Sequence, residues 1–217
     1  MSNELVFYTH PMSRGRIIRW MLEEVGQPYR TVILDYETTL KGPEYLAINP
    51  MGKIPAITHG GVVVTEAAAI CAYLADAFPQ AGLAPPSGSP LRGPYYRWLF
   101  FGAGDIEPAT SAKAMGWEST PERKRMLGYG CMEDVLNTLE IALKDREYIA
   151  GDRFTAADLY VGAQLGWGLQ FGTIEKRPVF EAYAGRMWAR PAAVRAREID
   201  DALIPQQQQQ PQPQPAE

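Results

Sequence analysis

From Leu5 the chain reads Leu-Val-Phe-Tyr, short, apolar and aromatic, and closed by Thr9-His10-Pro11, which marks a buried strand. Ile17, Ile18, Met21, Leu22 and Val25 then recur at spacings of three and four, the one-sided stripe of a helix, until Gly26 and Pro28 stop it. Residues 30–34 read as a second strand, parallel to the first because a whole helix lies between them. The stretch 49–74 is a short extended run, a Gly60-Gly61 turn, a second run Val62-Val63-Val64-Thr65, and a helix opened by Glu66-Ala67-Ala68-Ala69-Ile70. Together these predict a compact α/β unit over residues 1–78.

The next segment, 79–92, is rich in Pro, Gly and Ser and reads as a linker. Beyond it strand-like runs become rare, and 95–115, 122–144, 156–171, 179–189 and 192–203 read as helices, so 93–204 is expected to be an all-helical domain. Thr155-Ala156-Ala157-Asp158 fits a capping box with Asp in the place of Glu, and Phe154 is set to staple onto Leu159. Residues 205–217, dominated by Gln and Pro, cannot bury a core and are expected to be disordered.

Composition narrows the function. The chain has 217 residues, 46% of them hydrophobic, enough for one or two domains with a real core. A net charge of -4 with no basic face argues against a nucleic-acid binder. Cys71 and Cys131 lack C-x-x-C spacing and form no framework, which points to a reducing cytoplasm. The N-terminal stretch has neither the basic start nor the apolar core of a signal peptide, and no run approaches the ~18 apolar residues of a membrane span.

Candidate chemistry gathers on 49–74. Ile54 before Pro55 is pushed to extended geometry, and Pro55 has no N–H to give, so an open edge remains on which an extended peptide can pair with the main chain. Glu66 stands where the next helix begins. The first N–H groups of that helix attract a carboxylate, while Glu66 offers a counter-charge to an ammonium. The two features suit the two charged groups of one amino-acid head, such as the γ-glutamyl end of glutathione. Each has a purely structural alternative: Glu66 favours a helix dipole by ~0.3–1 kcal/mol, and Pro55 sits at a strand edge.

N-P-M-G-K-I-P-A, a hairpin and T-E-A-A-A-I together resemble the glutathione-binding half of the cytosolic glutathione transferases, and the capping box resembles a folding signature of their helical half. The resemblance extends to about Ile204. It implies a thioredoxin-like N-terminal domain with a cis proline, a C-terminal helical domain, glutathione as co-substrate, no metal, and a homodimer. It also implies that an acidic residue followed by Ser holds the γ-glutamate. Here the second residue is Ala67, so backbone N–H groups must replace the Ser hydroxyl.

Glutathione reacts as its thiolate, and an unperturbed thiol has a pKa of ~8.5. Lowering that by about two pH units takes roughly 2.7 kcal/mol. One charge-assisted hydrogen bond supplies ~1.5–3 and a helix N-terminus ~0.3–1 more. A single hydroxyl at a helix start is therefore sufficient. The family places a catalytic Tyr, Ser or Cys in the turn after the first strand, here Tyr8-Thr9-His10-Pro11-Met12-Ser13-Arg14-Gly15-Arg16. Ser13 is the first candidate, with a plain N-cap as its structural alternative, and Tyr8 the second, with a place in the strand core as its alternative. His10 reads as a turn residue before Pro11, while Arg14 and Arg16 can add positive potential over the sulfur.

Lys53, beside the Ile54 edge, and Lys41 are candidates for the glycine carboxylate. Asp105 matches the acidic residue by which, in the family, a partner chain helps hold the γ-glutamyl ammonium. Trp98, Phe101, Trp117, Trp167 and Phe171 offer aromatic surface for an apolar electrophile, with Trp117 and Trp167 carried as pocket candidates. A transferase acting on an electrophilic apolar compound is the expected function. A glutathione-dependent disulfide oxidoreductase or peroxidase and a non-catalytic binder of apolar ligands stand as alternatives; the turn has no Cys, which weighs against disulfide exchange.

Overall fold

The computed structural model describes residues 4–117 and 119–204. The Gln/Pro-rich stretch expected at 205–217 lies outside the described residues. The N-terminal part runs β1 (Leu5–Thr9), α1 (Gly15–Val25), β2 (Arg30–Ile33), α2 (Pro43–Leu46), β3 (Ala56–His59), β4 (Val62–Thr65) and α3 (Ala67–Ala77). The sheet order is β2-β1-β3-β4. β1 and β2 pair in parallel, as the intervening helix requires, and β1–β3 and β3–β4 are antiparallel. This is the thioredoxin-like layout expected from the sequence.

Alternation along β1 sorts its side chains between two layers. Leu5 and Phe7 join α1, α3 and the helical part in one large core, whereas Tyr8 packs on the other face with Leu34, Leu40, Tyr45 and Ala56 under α2. α1 ends as its sequence demands, with Gly26 at φ 69° returning its N–H to the Leu22 carbonyl at 2.9 Å.

The remainder is helical: α4 (Arg92–Phe101), α5 (Glu107–Ala114), α6 (Met132–Leu143), α7 (Ala156–Phe171), α8 (Pro178–Trp188) and α9 (Pro191–Ala202). Two expectations need correction. The helix expected at 95–115 is interrupted by a π-helical turn at Gly102–Ile106, where a Cβ on Gly102 would lie 2.6 Å from the Tyr160 ring. The helix expected at 122–144 begins only at Met132; a 3-10 turn at Lys124–Met126 and Gly128 and Gly130 precede it, and glycine is a poor helix former. Among the described residues no helix is long and apolar enough to cross a membrane.

α7 is buried nearly all round and serves as the central post of the helical part. Its capping box forms as expected: Asp158 Oδ2 accepts from the Thr155 N–H and hydroxyl, both at 2.9 Å. Asp158 Oδ1 also accepts from the Ile149 N–H at 2.7 Å and the Tyr183 hydroxyl at 2.8 Å, so one buried carboxylate ties α7 to α8 and to the loop before α7. Burial pushes this carboxyl upward and those four hydrogen bonds pull it back. The Phe154 ring lies against Trp20, Tyr148 and the Arg190 guanidinium, which fixes the entry to α7.

Asp158→Ala would strand four buried donors, and we expect a loss of about 3 kcal/mol or more in unfolding free energy by urea denaturation. Tyr183→Phe, which removes one of those donors, should cost about 1 kcal/mol. Equal stability of Asp158→Ala and the parent chain would refute the role of this carboxylate.

Candidate active site

Strand register brings three separate loops to one end of the sheet. Tyr8 pairs with Ala56 and Ala56 pairs with Thr65. The turn leaving β1, the Ile54–Pro55 peptide entering β3 and the Glu66–Ala67 junction leaving β4 are therefore neighbours. The Ile54–Pro55 bond is cis. Ile54 precedes the first paired residue of β3, so its main chain lies outside the ladder at that end. Pro55 is buried, and Ile54 packs on the small core under α2.

Glu66 adopts φ 63°, ψ 116°, a backbone region that side chains disfavour, and α3 begins at Ala67 right after it. The first N–H groups of α3 therefore open beside an exposed carboxylate. Lys53 is exposed, and its carbonyl accepts from the Tyr45 hydroxyl at 2.6 Å and from Asn49 Nδ2 at 2.8 Å, which holds the approach to Ile54. Lys41 folds across the same loop, with Nζ donating to the Met51 carbonyl at 2.9 Å.

The turn after β1 is tightly determined. Ser13 Oγ donates to the His10 carbonyl at 2.7 Å and accepts from the Gly15 N–H at 2.9 Å. A Cβ on Gly15 would fall 1.9 Å from Thr9 Oγ1 and 2.9 Å from Ser13 Oγ, so only glycine lets α1 start this close to the strand. The Met12 N–H donates to His10 Nδ1 at 3.1 Å, which leaves that nitrogen unprotonated. Burial also holds the imidazole below its ordinary pKa, against the pull of Asp35. The turn residue expected at His10 is thus a neutral hydrogen-bond acceptor within the turn.

Ser13 opens onto a cleft of about 850 Å³ between this turn and the helical part. Thr110 and Ser111 from α5, Gln164, Trp167 and Phe171 from α7, and Asp201 and Ile204 at the end of α9 form its far wall. Arg14 and Arg16 lie on the near wall. Arg14 Nε meets Glu107 Oε1 at 2.6 Å, and Glu107 Oε2 accepts from the Tyr160 hydroxyl at 3.1 Å and Gln164 Nε2 at 3.2 Å. Arg16 pairs with Asp201 and donates from Nε to the Pro11 carbonyl at 2.5 Å. Each cation is balanced by a carboxylate from the helical part, and the far wall mixes the polar Thr110, Ser111 and Gln164 with the aromatic Trp167 and Phe171.

Ser13, Ile54, Pro55, Glu66 and Ala67 thus share one end of the sheet, with Lys53 and Lys41 on the adjoining loop. Tyr8 packs into the small core that Ile54 also covers, its ring 5.7 Å from that of Tyr45. Asp105 lies apart, in the π turn, where burial raises its carboxyl above the usual range. Of the aromatic candidates, Trp167 and Phe171 line the cleft. Trp98 is core with Phe101 against it, and Trp117 is 66% exposed and outside the cleft. Glu107, Ser111 and Gln164 escape sequence reading because nothing local distinguishes them from ordinary helix residues.

Two family models match the chain: the glutathione S-transferase N-terminal domain over residues 12–77 and the glutathione S-transferase C-terminal domain over residues 129–191. The glutathione S-transferase GstA of Escherichia coli O157:H7 is 32% identical over 186 residues, 84% of this chain and 89% of that one. A glutathione transferase from Methylococcus capsulatus superposes with a TM-score of 0.75 at 31% identity, covering 92% of this chain and 100% of its own. A sphingomonad glutathione S-transferase, solved with glutathione bound, superposes with a TM-score of 0.74 at 30% identity over 90% of this chain and 98% of its own. With both halves matched, and a relative above 30% identity along most of its length, this chain belongs to the glutathione S-transferase family.

Proposed function

We propose that this glutathione transferase binds the tripeptide in extended form along the Ile54–Pro55 main chain and activates its sulfur at the Ser13 turn. The observation that carries the reading is the convergence of the Ser13 turn, the cis peptide and the Glu66–Ala67 junction at one end of the sheet, beside the cleft. In this reading residues 1–78 form the glutathione-binding half, 79–92 the link and 93–204 the half that receives the electrophile. The γ-glutamyl carboxylate takes the first N–H groups of α3 beside Ala67, and its ammonium faces Glu66. Lys53 receives the glycine carboxylate, with Lys41, already engaged by Met51, contributing at longer range. Tyr8 supports the strand rather than the sulfur.

At rest the Ser13 hydroxyl donates a hydrogen bond to the His10 carbonyl. When the thiol ionises, that O–H rotates to the sulfur, which is the better acceptor because it carries the charge. The thiol proton passes to solvent. The sulfur lone pair then forms a carbon–sulfur bond as the carbon–leaving-group bond breaks, or as a conjugated double bond takes up the electron pair. Trp167 and Phe171 seat the apolar part of the electrophile, and Arg14, Ser111 and Gln164 face its polar part.

A second copy of the chain covers the outer face of α4, where Tyr96 and Phe100 lie four residues apart and Phe100 is 72% exposed. Asp105, on the turn that continues this helix, then lies close to the partner's glutathione.

Ser13→Ala is expected to lower kcat about tenfold to a hundredfold with little change in KM for glutathione, from the loss of one charge-assisted hydrogen bond. Glu66→Ala should instead raise the glutathione KM about tenfold with a smaller effect on kcat. Steady-state kinetics with a chlorinated nitroaromatic separates the two, and parent-like constants in both variants would refute the assignment. Phe100→Asp should convert a dimer to a monomer in sedimentation; an unaltered mass distribution would remove α4 from the interface.

A further inference from the structure

Met12, the residue before Ser13, exposes its side chain while both polar groups of its backbone are held by side chains. Its N–H donates to His10 Nδ1 at 3.1 Å, and its carbonyl accepts from the Tyr36 hydroxyl at 3.2 Å. The two holding rings are in contact, their centroids 4.7 Å apart and their planes tilted by 55°. Tyr36 comes from the loop after β2, which is itself tied down. Asp35 Oδ1 accepts from the N–H groups of Glu37 and Thr38 and from the Thr38 hydroxyl, all within 3.0 Å, and the Asp35 N–H donates to Thr39 Oγ1 at 2.7 Å. The Leu34 N–H, one residue earlier, donates to the Thr9 carbonyl at 2.8 Å and fixes this loop against the turn.

We infer that Tyr36 is a positioning residue for thiol activation: through the Met12 carbonyl and the His10 ring it fixes where the Ser13 hydroxyl points. This rests on the reading of Ser13 as the thiolate donor. A hydroxyl that must swing from the His10 carbonyl to a sulfur needs its own backbone held still, and an unsupported turn would spread that hydroxyl over several directions. The groups facing Tyr36 are His10, Ser13 and Arg14, with Asp35 beside His10. An ordinary phenol is protonated near pH 7 and so a donor; partial burial raises the Tyr36 phenol further, and the neighbouring Ser13 and Arg14 lower it.

Tyr36→Phe removes the hydroxyl and keeps the ring that packs against His10. The readout is the apparent pKa of enzyme-bound glutathione, titrated by thiolate absorbance, together with kcat/KM near pH 7. We expect the pKa to rise by about 0.5 and kcat/KM to fall about threefold, in the range of coupling between residues of one network, with glutathione KM unchanged. The Ser13→Ala/Tyr36→Phe double variant should be no worse than Ser13→Ala. His10→Phe, which keeps the ring contact and removes the neutral acceptor, should shift the pKa in the same direction.

An unchanged thiol pKa in Tyr36→Phe, alongside a raised one in Ser13→Ala, would overturn this inference and leave the Ser13 assignment standing. An unchanged pKa in Ser13→Ala would remove that assignment and this inference with it. Additive losses in the double variant would mean that Tyr36 acts on the sulfur directly, which also overturns a positioning role.

Discussion

The contact on which the arrangement depends is the buried ion pair between Arg19 on α1 and Asp200 on α9, Nε to Oδ1 at 3.1 Å, with both side chains almost wholly excluded from solvent. Two charges removed from water cost several kcal/mol each, repaid only where geometry and further hydrogen bonds are good. Here Arg19 also donates to Thr31 Oγ1 at 2.7 Å and to the Tyr29 hydroxyl at 3.2 Å, and its guanidinium lies 5.0 Å from the Phe7 ring centroid. Burial pushes the Asp200 carboxyl up while Arg19 pulls it down. Such a pair contributes less to net stability than to uniqueness, because any other seating of α9 would leave a buried charge alone.

That seating is what builds the cleft. Arg16, Arg19, Glu23 and Glu24 follow one side of α1, and their partners are Asp201, Asp200, Arg195 and Arg190. The seam fixes the end of α9, so that Asp201 and Ile204 close one side of the cleft in front of Ser13. On the other side the π turn at Gly102–Ile106 sets the phase of α5, and Glu107 faces Arg14 while it accepts from Tyr160 and Gln164 on α7. π turns often mark functional sites because one added residue re-aims the helix beyond it. The start of α1 is thus gripped from both sides by the helical part, and one apolar core runs continuously across the two.

The sulfur end of the site therefore combines a rigid backbone with balanced charge. Arg14 and Arg16 are each paired, and the first N–H groups of α1 are taken up within the turn, Gly15 by Ser13 Oγ, Arg16 by the Ser13 carbonyl and Ile17 by the Arg14 carbonyl. A localised hydroxyl then matters more than bulk charge. The Ser13 turn meets that need, with glycine at position 15 admitting the helix close to β1 and side chains holding Met12 at both its amide and its carbonyl.

The family resemblance implied the cis Ile54–Pro55 bond, whereas local patterns were enough to read the strands, most of the helices and the capping box at Thr155 and Asp158. Each depends on residues close together in the chain: a period of two or of three to four, Gly26 after the last apolar turn, a short side chain three residues before an acid. The π turn was not legible that way, since it depends on what the segment packs against, as Gly102 does against Tyr160, whereas the late start of α6 follows from Gly128 and Gly130 just before it. The candidate site divided along the same line. Glu66, Pro55 and the turn around Ser13 announced themselves through local chemistry. The packing of Tyr8 on Tyr45, the Glu107 grip on Arg14, the Tyr36 hold on Met12 and the Arg19–Asp200 pair join residues from 24 to 181 positions apart. A charge or hydroxyl in sequence shows only what it can bind; which partner it meets is decided by the register of the sheet and the seating of the helices.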